Sequence, residues 1–186
     1  MKKANILIPL FFLLIFSINT NAQKYGFEED DFAISASIGA FGSRVGELEE
    51  SGYKFQFSNA MFLNKNVTAG FKFGFDGISS VEDNLSFGLF SRYYFSPEKR
   101  FSLFGTVGFD YMSQKNGDAK ANISVFKITP GVSYFLTENV ILEAAIGGFG
   151  LSAKSVIDEE ATINSNKVFF GANMSSLQFG IVFRKN

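Results

Sequence analysis

The 186-residue chain combines 25 Phe and 18 Gly with no Cys, His or Trp, and its formal net charge is −1. Without Cys and His, thiolate nucleophiles, disulfide frameworks, Cys/His zinc sites and every Ser-His-Asp or Cys-His device are excluded. No basic stripe marks a nucleic-acid surface, and 46% hydrophobic with 19% charged residues is the composition of a folding chain of one domain.

Residues 1–22 carry the pattern of a cleaved signal peptide. Met1, Lys2 and Lys3 form a positive start, Ile6 to Ile18 an apolar run interrupted by Pro9 and Ser17, and Thr20-Asn21-Ala22 a small-residue cleavage site before Gln23. The run is shorter than the roughly 20 apolar residues of a membrane-spanning helix. Loss of Lys2 and Lys3 with this leader takes the net charge from −1 to about −3. Residues 23–186 are then the exported domain, and Glu28 to Asp31 are expected to be a solvated lead-in to its first strand.

From there the chain reads with period two. Phe32, Ile34, Ala36, Ile38 and Ala40 line one face of a first strand. Tyr53, Phe55, Phe57, Met61 and Leu63 mark a second, interrupted at Asn59, and Val67, Ala69, Phe71, Phe73 and Phe75 a third. Leu85, Phe87, Leu89, Tyr93 and Phe95 mark a fourth, interrupted at Ser91; Phe101, Leu103, Gly105, Val107, Phe109 and Tyr111 a fifth. The sixth runs through Phe126, Ile128, Pro130, Val132 and Tyr134, the seventh through Val140, Leu142, Ala144 and Ile146, and the eighth through Leu177, Phe179, Ile181 and Phe183. Pro130 lacks the N–H a ladder needs, which predicts a local bulge.

The connections alternate in length. Asn64-Lys65-Asn66, Ser96 to Arg100 and Thr137-Glu138-Asn139 are tight turns of turn-forming residues. Longer polar links fall at about 43–52, 76–84, 113–122 and 151–167. Eight strands of about 10 residues, short turns at one end and long loops at the other describe an all-β, eight-stranded antiparallel up-and-down transmembrane β-barrel. Its short turns would be periplasmic and its longer loops extracellular. A soluble lipocalin-like barrel would invert the faces; the leader and the sorted loops favour the membrane form. The chain is too short for a large 16-stranded diffusion pore.

The parity opposite the large apolar residues is small or polar, as a filled membrane barrel requires inside. It carries Lys54, Lys72, Arg92, Asp110, Lys127 and Glu143, expected as a lumen charge network with Arg92 and Glu143 its central pair. A selectivity ring or proton path is the functional alternative. Phe62, Tyr94, Phe104 and Phe135 share the inward parity near the short turns and are expected as a periplasmic aromatic plug, the alternative being a gate or an apolar-ligand site. Tyr53, Tyr93, Phe95, Phe101, Tyr111 and Tyr134 fall near strand ends on the outward face, suiting interfacial girdles.

Glu47, Glu49 and Glu50, then Asp76, Glu82 and Asp83, then Asp158, Glu159 and Glu160 are acidic loop clusters without the ligand spacing of an EF-hand. No metal, cofactor or catalytic site is expected. A carboxylate-only hydrolase remains formally open, though no paired acids flank a cleft.

Ser91 to Phe95, Phe101 to Gly105, Thr129 to Thr137, Val140 to Ala145 and Leu177 to Phe183 resemble the outer-membrane β-barrel domain family of Gram-negative bacteria, the small OmpA/OmpX-type, porin-like barrels. The resemblance covers nearly the whole exported domain. It implies an outer-membrane location, lipid and lipopolysaccharide around the barrel, and delivery by the outer-membrane assembly machinery, read from an aromatic-ended last strand. Arg184-Lys185-Asn186 after Phe183 depart from that signal. A monomer with a structural or surface-interaction role, through its outer loops and an unknown surface ligand, is one expectation. A narrow channel or OmpW-like conduit for small or apolar solutes is the other.

Overall fold

A computed structural model describes residues 25–45, 48–78, 81–116, 119–157, 162–171 and 177–185. The leader at 1–22, Glu47 and Asp158 to Glu160 lie outside these residues, as do the side chains of Glu49, Glu50, Asp76, Glu82 and Asp83. Among the described residues the regular structure is all strand. β1 (Phe32–Val45), β2 (Leu48–Asn64), β3 (Val67–Ile78), β4 (Val81–Tyr94), β5 (Phe101–Asn116) and β6 (Ala119–Phe135) pair in sequence, each antiparallel to the next. β7 (Val140–Ile146) and β8 (Gly148–Ile157) pair in series with β6, so together they fill a seventh position. β9 (Thr162–Gly171) lies on β8 and β10 (Leu177–Lys185) on β7, filling the eighth. The wall closes where β10 meets β1, from Phe32 opposite Lys185 to Gly39 opposite Gln178. The result is an eight-stranded up-and-down antiparallel barrel.

Side-chain parity decides what each face is. Phe71, Phe87, Leu89, Phe95, Phe101 and Phe179 point outward and are more than half exposed, Leu89 the most at 67%. The inward parity carries Ser, Thr, Gly and the charged residues. The interruptions at Asn59 and Ser91 do not break their strands: Asn59 stays in register with Phe71, and Ser91 Oγ donates to the Thr68 carbonyl at 3.0 Å. A hydroxyl satisfied by its own ladder can stay on an apolar face.

At one end lie three short turns, two of them locked by their own side chains. Asn64 Oδ1 accepts from the amides of Asn66 and Val67 at 2.9 and 3.0 Å, and Thr137 Oγ1 from Asn139 and Val140 at 3.3 and 3.1 Å. The other end differs from the expected loops. The links placed at 43–52, 76–84, 113–122 and 151–167 are mostly strand, because the hairpins run on to residues 45 and 48, 78 and 81, 116 and 119, and 157 and 162. Polar residues there pair as ladders without the apolar alternation that would reveal a strand, so the strands are longer than the expected 10 residues.

Pro130 keeps its register with Gly105 on β5, and the irregularity sits in the other neighbour. Gly131 faces Ala145 and Ile128 faces Phe149, which leaves one extra residue around Gly147 and Gly148, at φ +60° and +152°. These are conformations glycine adopts without a Cβ penalty. The bulge absorbs the missing N–H and flips the parity, so Leu142 and Ala144 share the outward face with Phe149 and Leu151.

Candidate functional site

The lumen is the candidate site, and its rows follow the strand registers. Lys72 on β3, Gly88 on β4 and Asp110 on β5 stand in one row. Lys72 Nζ reaches over the middle residue to Asp110, 2.9 Å from Oδ1 and 3.1 Å from Oδ2. Only glycine permits this, since a Cβ on Gly88 would meet Asp110 Oδ1 and lie 2.8 Å from Lys72 Cε. Lys127 on β6 adds a second ammonium, 3.3 Å from Asp110 Oδ2.

Closer to the turn end, Arg92 on β4 spans the lumen to Glu143 on β7. Its Nη1 donates to Glu143 Oε2, and its Nε donates to Thr106 Oγ1 at 2.9 Å. The Tyr94 hydroxyl donates to Glu143 Oε1 at 2.8 Å, so both carboxylate oxygens are engaged. The guanidinium also lies 4.2 Å from the Phe104 ring centroid, in cation–π contact. Charges taken from water need this density of partners. Lys54 lies on the same inward face, opposite Gly39 and Asp76.

Beneath this bridge is an aromatic floor. Phe62 and Phe135 are fully buried, and Tyr94 and Phe104 nearly so. Tyr94 and Phe104 rings lie 5.7 Å apart, Phe62 and Tyr94 rings 5.8 Å. Phe104 has room because Gly131 faces it: a Cβ there would strike the ring.

The centre of the floor is a residue the sequence reading did not select. Phe27 inserts from the segment before β1, stacking on Phe62 at 4.1 Å and meeting Tyr94 at 4.7 Å and Phe135 at 5.1 Å. The lead-in is therefore not simply solvated, and Asp31 is as buried as the rings. The segment is pinned by main-chain bonds, Asp30 N to Phe62 O and Phe62 N to Asp31 O, both 2.9 Å. Asp30 takes a left-handed φ of +68° to make the turn, and Asp31 Oδ2 accepts from the Glu28 amide at 2.7 Å. Arg184, one of the three residues after the last aromatic, points inward. It donates from Nη1 to the Gly26 carbonyl, and its Nε lies 3.6 Å from Asp31 Oδ2.

Between bridge and hairpin end lies a cavity of about 40 Å³, lined among others by Gln56, Ser58, Lys127, Thr129 and Gln178. It holds no nucleophile and base in contact, and among the described residues no cluster of Asp and Glu could hold a metal ion.

No family model and no curated protein matches the chain by sequence. Its structure is similar to the N-terminal β-barrel domain of Pseudomonas aeruginosa OprF, with 15% identity and a TM-score of 0.53 over 86% of this chain and 100% of that one. It is also similar to Neisserial surface protein A, at 15% identity and 0.52 over 82% and 96%, and to outer membrane protein OprG from Pseudomonas aeruginosa, at 12% and 0.51 over 87% and 98%. At these identities the likeness shows the fold.

Proposed function

We propose that the chain is an integral outer-membrane barrel with a filled lumen. It is exported by the leader at 1–22, surrounded by lipid and lipopolysaccharide, and acts as a structural or surface-interaction protein through the hairpins opposite the short turns. The observation that carries this reading is the pairing of the two faces: a continuous belt of exposed Phe, Leu and Ile outside, and ion pairs and hydroxyls inside. Soluble monomers rarely expose apolar patches beyond a few hundred Å², whereas a bilayer makes such a belt the favourable surface. Closure supports the same reading, since strands in hydrocarbon must satisfy every backbone group among themselves. Aromatic side chains near both ends of the belt, Tyr53 and Tyr111 at one and Tyr93, Phe95 and Phe101 at the other, suit the two interfaces. The solved structures it resembles carry outer-membrane or surface-protein names, and the reading takes its location from them as well.

In this reading the role is not catalytic, and β10 is the strand that the assembly machinery engages. The test is a detergent requirement together with a gel mobility that changes on boiling. A protein that stays monodisperse in plain buffer overturns it. For the surface role, an array of envelope and host-surface components is screened with the full chain and with variants shortened at residues 46–47, 79–80, 117–118 and 158–161. Capture that survives every shortening overturns that role.

One observation favours a narrow conduit for small or apolar solutes as the second reading. Among the described residues, Ala40 to Val45 pair only with β2, and β9 pairs only with β8. Beyond Gly39 and Gln178 no ladder pairing joins the two sides among the described residues, which would suit a sideways route toward the bilayer. Uptake of small solutes into vesicles carrying the barrel separates the two readings.

A further inference from the structure

The lumen charges do not balance locally. Lys72 and Lys127 both bear on one carboxylate, and the same oxygen, Asp110 Oδ2, lies 3.1 Å from one ammonium and 3.3 Å from the other. Among the described side chains the other lumen carboxylate, Glu143, is already engaged at both oxygens by Arg92 and Tyr94. Among these groups one unit of positive charge is left over at Lys127, whose side chain is 27% exposed and so can be reached by a counter-ion.

The cavity of about 40 Å³ opens beside this excess charge, with Lys127, Thr129, Gln56, Ser58 and Gln178 in its lining. Two of these groups have donors to spare. Thr129 Oγ1 is buried without a hydrogen-bond partner. Gln178 Nε2 donates to Ser37 Oγ at 2.5 Å, and a primary amide has a second N–H. An ammonium, a hydroxyl and an amide around a small space are the chemistry of an anion site. A water needs roughly 10–15 Å³ of such volume, so the space suits one halide-sized ion with a water or two.

We propose that this chamber is a binding site for a single small monovalent anion of the halide class, held by Lys127 and Thr129 and completed by the Gln178 amide. The ion neutralises the second ammonium on Asp110 and becomes part of the filling of the barrel.

Bromide is the probe. The full barrel in detergent is melted in sodium bromide and in sodium gluconate, whose anion is too large for the chamber, at matched ionic strength. Above its dissociation constant, each tenfold rise in bromide is expected to raise the midpoint by about 3 °C relative to gluconate. Crystals grown with bromide are expected to show one anomalous peak between Lys127 Nζ and Thr129 Oγ1. Lys127→Gln should abolish both signals. Thr129→Val keeps every charge and should weaken bromide binding roughly tenfold by removing one hydrogen bond to the ion; it decides the matter if the lysine variant does not fold. Lys154→Gln, on the exposed hairpin, should leave the bromide response unchanged. Equal midpoints in the two salts, or a bromide response that survives in Thr129→Val with no peak in the chamber, overturns the proposal.

Discussion

Arg184 Nε stands 3.6 Å from Asp31 Oδ2, an ion pair that ties the residue before the first strand to the penultimate residue of the last. Both side chains are buried, at 7% and 3% exposure, and Arg184 also donates to the Gly26 carbonyl. The pair therefore holds the segment that carries Phe27 under the barrel.

Removing one partner of a buried pair strands the other charge, at a typical cost of about 3–5 kcal/mol. Arg184→Gln should lower the detergent melting midpoint by about 6–20 °C and expose Tyr25 and Phe27 to chymotrypsin. An unchanged cleavage pattern would mean that the segment is held by its main-chain bonds to Phe62 alone.

Phe27→Ala removes the ring on which Phe62, Tyr94 and Phe135 converge. Truncating a buried Phe costs about 3–5 kcal/mol, the range reflecting how far the site can collapse. The barrel should still form, because the wall's hydrogen bonds do not involve this side chain. The checks are chemical denaturation in detergent micelles and gel mobility after boiling; a loss under about 1 kcal/mol would show that the floor does not depend on the inserted ring.

The cross-lumen bridge is tested by a double-mutant cycle. Arg92→Met leaves Glu143 with only the Tyr94 hydroxyl and should destabilise by about 3–5 kcal/mol, while Arg92→Met with Glu143→Leu should recover much of the loss, because apolar replacement of a whole buried pair is often near neutral. Additive losses in the double variant would contradict a direct coupling.

Gly88 and Gly105 form a matched pair of substitutions on the same barrel wall. A Cβ on Gly88 lands on the Lys72–Asp110 pair, whereas one on Gly105 meets nothing within 4 Å. Gly88→Ala should cost about 1–3 kcal/mol and Gly105→Ala little or nothing, both read from the detergent melting midpoint. Equal effects would show that the row does not depend on a missing side chain.

Much of the barrel was legible because a wall that is apolar outside and polar inside writes its face into the sequence every second residue. The run Phe71, Phe73, Phe75 opposite Lys72 and Gly74 fixes strand, period and face together. That parity also put Arg92, Glu143, Lys72 and Asp110 on one side, although not which lysines share a carboxylate, since register between strands depends on turn geometry and on bulges. Legibility fails where the alternation does. The hairpin ends of β5 and β6 are polar on both faces, so Ser113 to Asn116 and Ala119 to Asn122 read as loop and fold as ladder. Gly147-Gly148 flips the parity by one residue, which no local composition announces. Phe27 stands in an acidic, aperiodic lead-in, and its insertion depends on a distant partner, Arg184, that reads as an exposed tail. The Gly26-Phe27 pair before an Asp-rich turn was the available signal for it.

In the proposed reading the lumen is filled: Phe27 and the aromatic floor close the turn end, and the Arg92–Glu143 bridge crosses above them. Single-channel recording of the purified barrel in planar bilayers tests this most directly. The filled lumen predicts a flat baseline without stable openings across the voltage range. Reproducible, long-lived conductance steps from the unaltered protein would contradict it.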